Sequence, residues 1–354
     1  MISGFAMIVI KGGLDFGLGE VWRIADEGGR IDFWQFDLDF TQRHTFWSIV
    51  VGGTLGLWLG TFACNQTEVQ RYLSCKTEKD AKLSIFIAVG NLWILVWLGC
   101  LSGLVMYAYF SKCDPYAMGW VESSDQLIPY LVTEIFEEMP GLAGLYIASI
   151  YSGTLSTVSS GINSMATIAL LDFVDPVVNF EKPAHRNLCL KVLVVIFGLC
   201  CCFCAFLADQ LGGVLEAAMS VNGIIFGPTL GLFILAGFVK FTNKSGASFG
   251  YVCGIAMGTW IYIGSKVYPP TNEHLNQLDT TTEFCVIGND TMIVPKLMET
   301  GEDYPGIAEN WYSVSYLFYS TIGLFTTLIL GCLVSVASKK FAENKSKTVQ
   351  AWLL

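Results

Sequence analysis

Charge is the scarcest property of this chain. Of its 354 residues only 50 are Asp, Glu, Lys or Arg, 14% against the ~25% of an ordinary soluble domain. So few charges cannot cover the surface of a soluble protein this size, and 24 Phe, 14 Tyr and 10 Trp deepen the shortage. The composition excludes a water-soluble enzyme and a disordered chain. A basic excess is missing too: the net charge is −10, which excludes the basic face that nucleic-acid binding needs. The three histidines, His44, His185 and His274, lie at the edges of apolar runs or in loops, and no Asp or Glu falls within such a run. An intramembrane enzyme would lack its general acid and base. The apolar start, residues 1–11, is too short to span and lacks the basic beginning of a signal peptide. It reads as the outer end of a helix whose earlier part is missing, which suggests an incomplete chain.

The apolar runs themselves are long. Residues 44–67, 83–111, 139–171, 192–208, 217–239, 245–265 and 310–338 contain no charged side chain, and together they make up about half the chain. Crossing the hydrocarbon takes about 20 residues of helix, with a range of roughly 17–25. Lipid offers the backbone no hydrogen-bond partner, so these runs are expected to be helical. The expected class is an all-α polytopic membrane protein with seven full spans and an N-terminal stub. Alternating the spans puts 13 of the 20 Lys and Arg on the side that carries the C-terminus, and 23 of the 30 acids on the other. The basic side is the cytoplasmic one. The expectation is a multi-pass plasma-membrane protein with residues 12–45 and 266–309 as extracellular loops and 339–354 as a cytoplasmic tail.

Asn289-Asp-Thr291 is a glycosylation sequon in the long outer loop. The sequons at Asn65 and Asn243 fall on the cytoplasmic side and should stay unmodified. Of 12 Cys, only Cys113 and Cys285 lie in outer loops, where they are able to pair or to stay free. Cys200, Cys201, Cys202 and Cys204 lie within a span and read as small packed or lipid-facing residues rather than a metal site.

The span at 139–171 has too many hydroxyls for packing alone. Ser152, Ser156, Ser159 and Asn163 step by 4, 3 and 4 and share one helical face; Gly153, Thr157, Ser160 and Ser164 form the adjoining stripe. Small polar residues let membrane helices approach, which accounts for two or three such positions. A wide band of neutral oxygens suits a hard monovalent cation, whereas a lone carboxylate would suggest proton coupling. Gly52, Gly53, Gly56 and Gly60 in the first span mark either an unwound segment facing a substrate or close packing. Asn222-Gly223 and Gly227-Pro228 make 217–239 a second interruptible helix or a packing kink. Trp58 either lines a cavity or faces lipid.

At these residues the chain resembles the sodium/solute symporter family, in the branch with sodium-iodide, sodium-coupled monocarboxylate and multivitamin transporters. The stretches that carry the likeness are Thr45–Thr54, Asn65-Gln66 with Val69–Tyr72, Cys75–Lys79, Cys113-Asp-Pro115, Tyr151–Thr157, Gly227-Pro228, Tyr268-Pro-Pro270 and Ser315-Tyr316. The resemblance implies a LeuT-like inverted-repeat fold. Residues 46–239 would be its second five-helix repeat and 240–338 would hold two additional helices. It implies a sodium site with hydroxyl ligands from Ser156 and Thr157 and a carbonyl from Gly153. It implies an anion pocket lined by Trp58, Leu215 and Met219, where Met219 replaces the Phe of the iodide transporter. The function implied is sodium-coupled symport of an organic monocarboxylate or vitamin carboxylate by alternating access. A halide transporter and a partial, non-transporting gene product are the alternatives. The partners implied are sodium, a small anion and the bilayer, with no cofactor and no nucleic acid.

Overall fold

The computed structural model describes residues 1–32, 34–178, 180, 182–208, 213–270, 278–282, 285 and 307–351. Every regular element among them is helical. In chain order they are α1 (Ile2–Asp15), α2 (Leu18–Glu27), α3 (Ser48–Cys64), α4 (Gln66–Leu73), α5 (Glu78–Phe110), α6 (Leu127–Ile135), α7 (Pro140–Ile168), α8 (Pro183–Ala208), α9 (Val214–Phe238), α10 (Lys244–Val267), α11 (Ile307–Tyr312) and α12 (Tyr319–Ala351). Among the described residues six stretches are long and apolar enough to cross a membrane unbroken: α5, α7 with its π-helical extension Ala169–Val174, α8, α9, α10 and the first part of α12. Two bent pairs bring the number to eight, α1 with α2 at 91° and α3 with α4 at 49°. All seven charge-free runs are thus helical. The stub continues beyond residue 11 to Asp15, and the stretch read as loop from residue 12 carries the amphipathic helix α2. Most of 266–309, with Asn289, lies outside the described residues.

The helix ends follow local chemistry. Thr77 caps α5: its Oγ1 accepts from Asp80 N at 3.2 Å and donates to Asp80 Oδ2 at 2.8 Å. Asn65 Oδ1 accepts from Thr67 N at 2.9 Å as α4 begins. Asn243 Oδ1 caps α10 through Gly246 N at 2.8 Å, while its amide donates to Ser338 Oγ at 2.6 Å. The sequon asparagines Asn65 and Asn243 therefore each cap a helix start.

The chain divides into two units. The first holds residues 1–32, 70–214 and 278–298. Its core gathers Ile8, Val105, Leu131, Val132, Phe136 and Tyr146. α1 lies against α5 and α7. A Cβ at Gly12 would fall 2.5 Å from Val105 Cγ1, one at Gly4 would fall 3.2 Å from Tyr146 Cδ2, and Ser102 Oγ donates to the Phe5 carbonyl at 3.3 Å. Cys113 and Cys285 form a disulfide with their Cα atoms 4.9 Å apart. This settles the open question of their pairing. Beside it, Asp114 N donates to Thr281 O at 3.1 Å and Arg30 Nη2 to Asp279 O at 2.6 Å.

The second unit holds residues 33–69, 215–277 and 299–354. Its main interface is α10 on α12. Gly246, Gly250, Gly254 and Gly258 recur every four residues; the first three face Gly323, Thr327 and Gly331 of α12, and Gly258 packs on Ile224 of α9. A Cβ at Gly254 would lie 2.8 Å from the Gly323 carbonyl oxygen. Small residues bring membrane helices this close because dispersion and weak polar contacts, not the hydrophobic effect, hold them together in lipid. α9 runs unbroken through Pro228 from Val214 to Phe238, so of the two readings of Gly227-Pro228 the interruption is absent. The proline ring instead packs on Gly323, where a Cβ would fall 2.8 Å from its Cδ.

Candidate functional site

α7 presents the hydroxyl band. Pro140 opens the helix at its first turn, where the missing N–H costs nothing. Beyond it the hydroxyls turn back on their own helix. Thr154 Oγ1 donates to Tyr151 O at 3.0 Å, Thr157 Oγ1 to Gly153 O at 3.4 Å, Ser160 Oγ to Ser156 O at 3.0 Å and Thr167 Oγ1 to Asn163 O at 2.8 Å. A hydroxyl that has given its proton to the preceding turn keeps its lone pairs free to accept. Thr154, Thr157, Ser160 and Thr167 therefore offer electron pairs rather than protons, which is the polarity a cation needs.

Two of the three residues expected to hold sodium are brought together here. Thr157 Oγ1 and the Gly153 carbonyl meet in the hydrogen bond just given, and Ser156 lies beside them with its hydroxyl in no hydrogen bond among the described residues. Ser156 and Thr157 are both exposed, while the bare side of Gly153 is covered by Met1, whose Cγ would lie 2.5 Å from a Cβ there. Lower on the helix, Ser164 is buried with its Oγ 3.5 Å from Gln70 Oε1. Among the described residues no three His, Cys, Asp or Glu assemble as a metal site.

The residues expected to line an anion pocket belong to the second unit and do not share one environment. Trp58 is 40% exposed and stacks on Phe62, ring centroids 6.2 Å apart. Leu215 is exposed at the start of α9. Met219, one turn further, packs on the core of Ile224, Ile261, Tyr316 and Tyr319. Near Trp58 the chain is wound as a π-helix over Ser48–Trp58. Its Gly52 carbonyl accepts from Ser320 Oγ at 2.9 Å, and its Val51 carbonyl from Thr321 Oγ1 at 3.3 Å. Of the two readings of the glycines, the segment shows close packing: it stays helical, a Cβ at Gly52 would fall 2.8 Å from Leu317 O and one at Gly60 2.8 Å from Phe226 O, and the Gly52 and Val51 carbonyls are held by α12.

Sequence reading missed a polar cluster in the second unit. Arg43 Nη1 donates to Glu216 Oε2 at 2.9 Å, and Lys266 Nζ to Glu216 Oε1 at 3.4 Å. The Arg43 guanidinium lies 5.5 Å from the Tyr316 ring centroid, and His44 Nε2 lies 2.8 Å from Tyr316 Oη. His44 adopts a left-handed φ of 60°, rare for a residue with a side chain. Burial, and secondarily the charge of Arg43, holds its imidazole below the usual histidine range, although part of the residue still meets solvent. The available signal was positional: Arg43, Glu216 and Lys266 are each the charge that borders a charge-free run.

The profile of the sodium:solute symporter family matches residues 24–254, well over half the chain. This chain belongs to the sodium:solute symporter family. Among curated relatives, sodium-coupled monocarboxylate transporter 2 of Homo sapiens is 40% identical over 355 residues, 100% of this chain and 56% of its own length. Sodium-coupled monocarboxylate transporter 1 of Homo sapiens is 39% identical, covering 97% of this chain and 58% of its own length. The human sodium/iodide cotransporter is 36% identical over 95% of this chain and 54% of its own length. This symporter-family chain therefore spans about half the length of the curated relatives it matches.

Proposed function

We propose that this chain is part of a symporter that couples the entry of a small organic anion, a monocarboxylate or vitamin carboxylate, to sodium. The observation that carries the reading is its likeness along nearly its whole length to relatives named as sodium-coupled monocarboxylate transporters. The hydroxyl band of α7 supports it. Sodium is held by Ser156 and Thr157 hydroxyls and the Gly153 carbonyl, completed by groups outside this chain. Trp58, Leu215 and Met219 line the anion path. The fold is LeuT-like, and transport proceeds by alternating access: sodium and anion each favour the same outward-open state, so each raises the other's affinity. The C-terminus is cytoplasmic, the protein lies in the plasma membrane, and Asn289 is glycosylated on the outside.

The likeness to the sodium/iodide cotransporter supports a second reading, a halide as the anion. Uptake of labelled pyruvate, biotin and iodide by the full-length protein, in sodium and then in choline, decides among them. Sodium-dependent uptake of a carboxylate supports the first reading, and of iodide alone the second. Equal flux in choline overturns both.

A further inference from the structure

Glu216 is a carboxylate held by two cations, one on each oxygen. Arg43 binds Oε2 at 2.9 Å from the segment before α3, and Lys266 binds Oε1 at 3.4 Å from the last turn of α10. The side chains of Arg43 and Glu216 are 19% and 27% exposed, and that of Lys266 is 39% exposed. The cradle is thus sheltered enough to be only partly screened, yet reachable from water. Aromatic faces back both cations: Arg43 over Tyr316, and Lys266 5.7 Å from the Tyr262 ring centroid. Two buried polar atoms nearby have no partner among the described residues, Tyr262 Oη on α10 and Ser220 Oγ one turn beyond Glu216. Glu216 sits in sequence between Leu215 and Met219.

We propose that Arg43 and Lys266 form a capture site for the carboxylate of an arriving anion, which Glu216 occupies until that anion displaces it. The proposal rests on the symport reading above and adds to it a site and a competitor. The chemistry is the same on both sides of the exchange. A monocarboxylate presents the two oxygens that Glu216 now presents, to the same ammonium and guanidinium groups. With Glu216 in place the three side chains sum to +1, and with its carboxylate withdrawn the cradle is +2. Displacement therefore exposes the full attraction of the site only to a ligand that brings its own negative charge. Under the proposed orientation Glu216 and Lys266 lie at the outer ends of α9 and α10 and Arg43 just outside α3, where an external anion first meets the protein.

The test is uptake kinetics of the full-length protein at low and physiological ionic strength. Glu216→Gln keeps the shape and removes the competitor, and should lower KM for the anion about two- to fivefold, the range of a half-exposed ion pair. Arg43→Gln and Lys266→Gln should each raise KM by a similar factor, more than they change the maximal rate, and salt should shrink all three effects. A purely structural bridge would instead lower surface abundance and maximal rate alike in the three variants and leave KM in place. That result, or a KM for Glu216→Gln equal to or above wild type, overturns the proposal. Lys266→Gln, at the most exposed corner, serves if Glu216→Gln fails to reach the surface. Wild-type protein without sodium-dependent anion uptake would overturn the symport reading itself, and is distinguished by needing no variant.

Discussion

Replacing Gly250 with alanine puts one methyl group where α10 and α12 leave no room. The new Cβ would lie 2.5 Å from the Thr327 carbonyl oxygen, 2.8 Å from Gly331 N and 2.9 Å from Gly331 Cα. Ordinary contact begins near 3.4 Å, so the closest atom must retreat by about 0.9 Å to relieve the overlap. All three obstacles are backbone atoms, and no rotamer change removes them. The helices must part, and a gap of 0.5–1 Å forfeits roughly a quarter to a half of each dispersion contact along the seam. Overpacking of this kind costs about 1–3 kcal/mol. Alanine's better helix propensity returns about 1 kcal/mol, leaving a net loss of up to about 2 kcal/mol, and because Gly237→Ala gains the same propensity the two variants differ by about 1–3 kcal/mol. Gly237→Ala is the matched control: it lies in the same unit with nothing within 4 Å of its Cβ position, and should leave stability unchanged or slightly raised. The assay is the fraction of detergent-solubilised protein that stays monodisperse after heating. Gly250→Ala should melt several degrees below Gly237→Ala. If it melts with the control or above it, the packing of α10 on α12 described here is wrong.

Two further perturbations test other parts of the structure. His44 has its pKa lowered by burial and by Arg43, so the unfolded chain takes up the proton first as pH falls. The stability it supports is complete above the unfolded histidine value of about 6.5. That stability is lost as pH drops from there toward the folded value. Melting temperature should thus fall on acidification through this window, less steeply in His44→Gln; equal slopes would contradict the assignment. Cys113→Ser or Cys285→Ser opens a loop of 172 residues. Chain entropy alone sets an upper cost of about 5 kcal/mol, and membrane insertion, which already confines the unfolded chain, makes the loss smaller. Each single serine variant and the double variant should melt at the same lowered temperature, insensitive to reductant, whereas wild type should shift on reduction.

The spans were legible because lipid forbids charge, and the borders of the charge-free runs lie within a few residues of those of α7, α9 and α10, whereas α5 and α8 begin earlier, among charged residues, and α12 begins later and runs on past residue 338. The hydroxyl band was legible because helical period alone puts Ser156 with Ser152 and Thr157 with Gly153. What period does not carry is partner choice. The 91° bend between α1 and α2 turns on a Gly17 with φ of 81° and on α1 packing beside α5 and α7. The π-helix at Ser48–Trp58 is supported by Ser320 and Thr321, some 270 residues away. At Pro228 the sequence allowed either an interruption or a packing kink; the helix continues through it, because Gly323 leaves a place for its ring. The glycine repeat of α10 was written in the sequence at four-residue spacing, but its partner, the Gly323–Gly331 face of α12, was not. Glu216 borders a charge-free run in the sequence, but only tertiary structure brings Arg43 and Lys266 to it.

The central claim is that the α7 oxygens bind the coupling sodium. It is tested most directly by the sodium activation curve of anion uptake in the full-length protein carrying Ser156→Ala or Thr157→Ala. Each change removes one oxygen from a charged ligand, a loss of about 1.5–3 kcal/mol. The sodium concentration for half-maximal uptake should therefore rise about tenfold or more, with surface abundance unchanged. Sodium curves that superimpose on wild type in both variants would contradict the account.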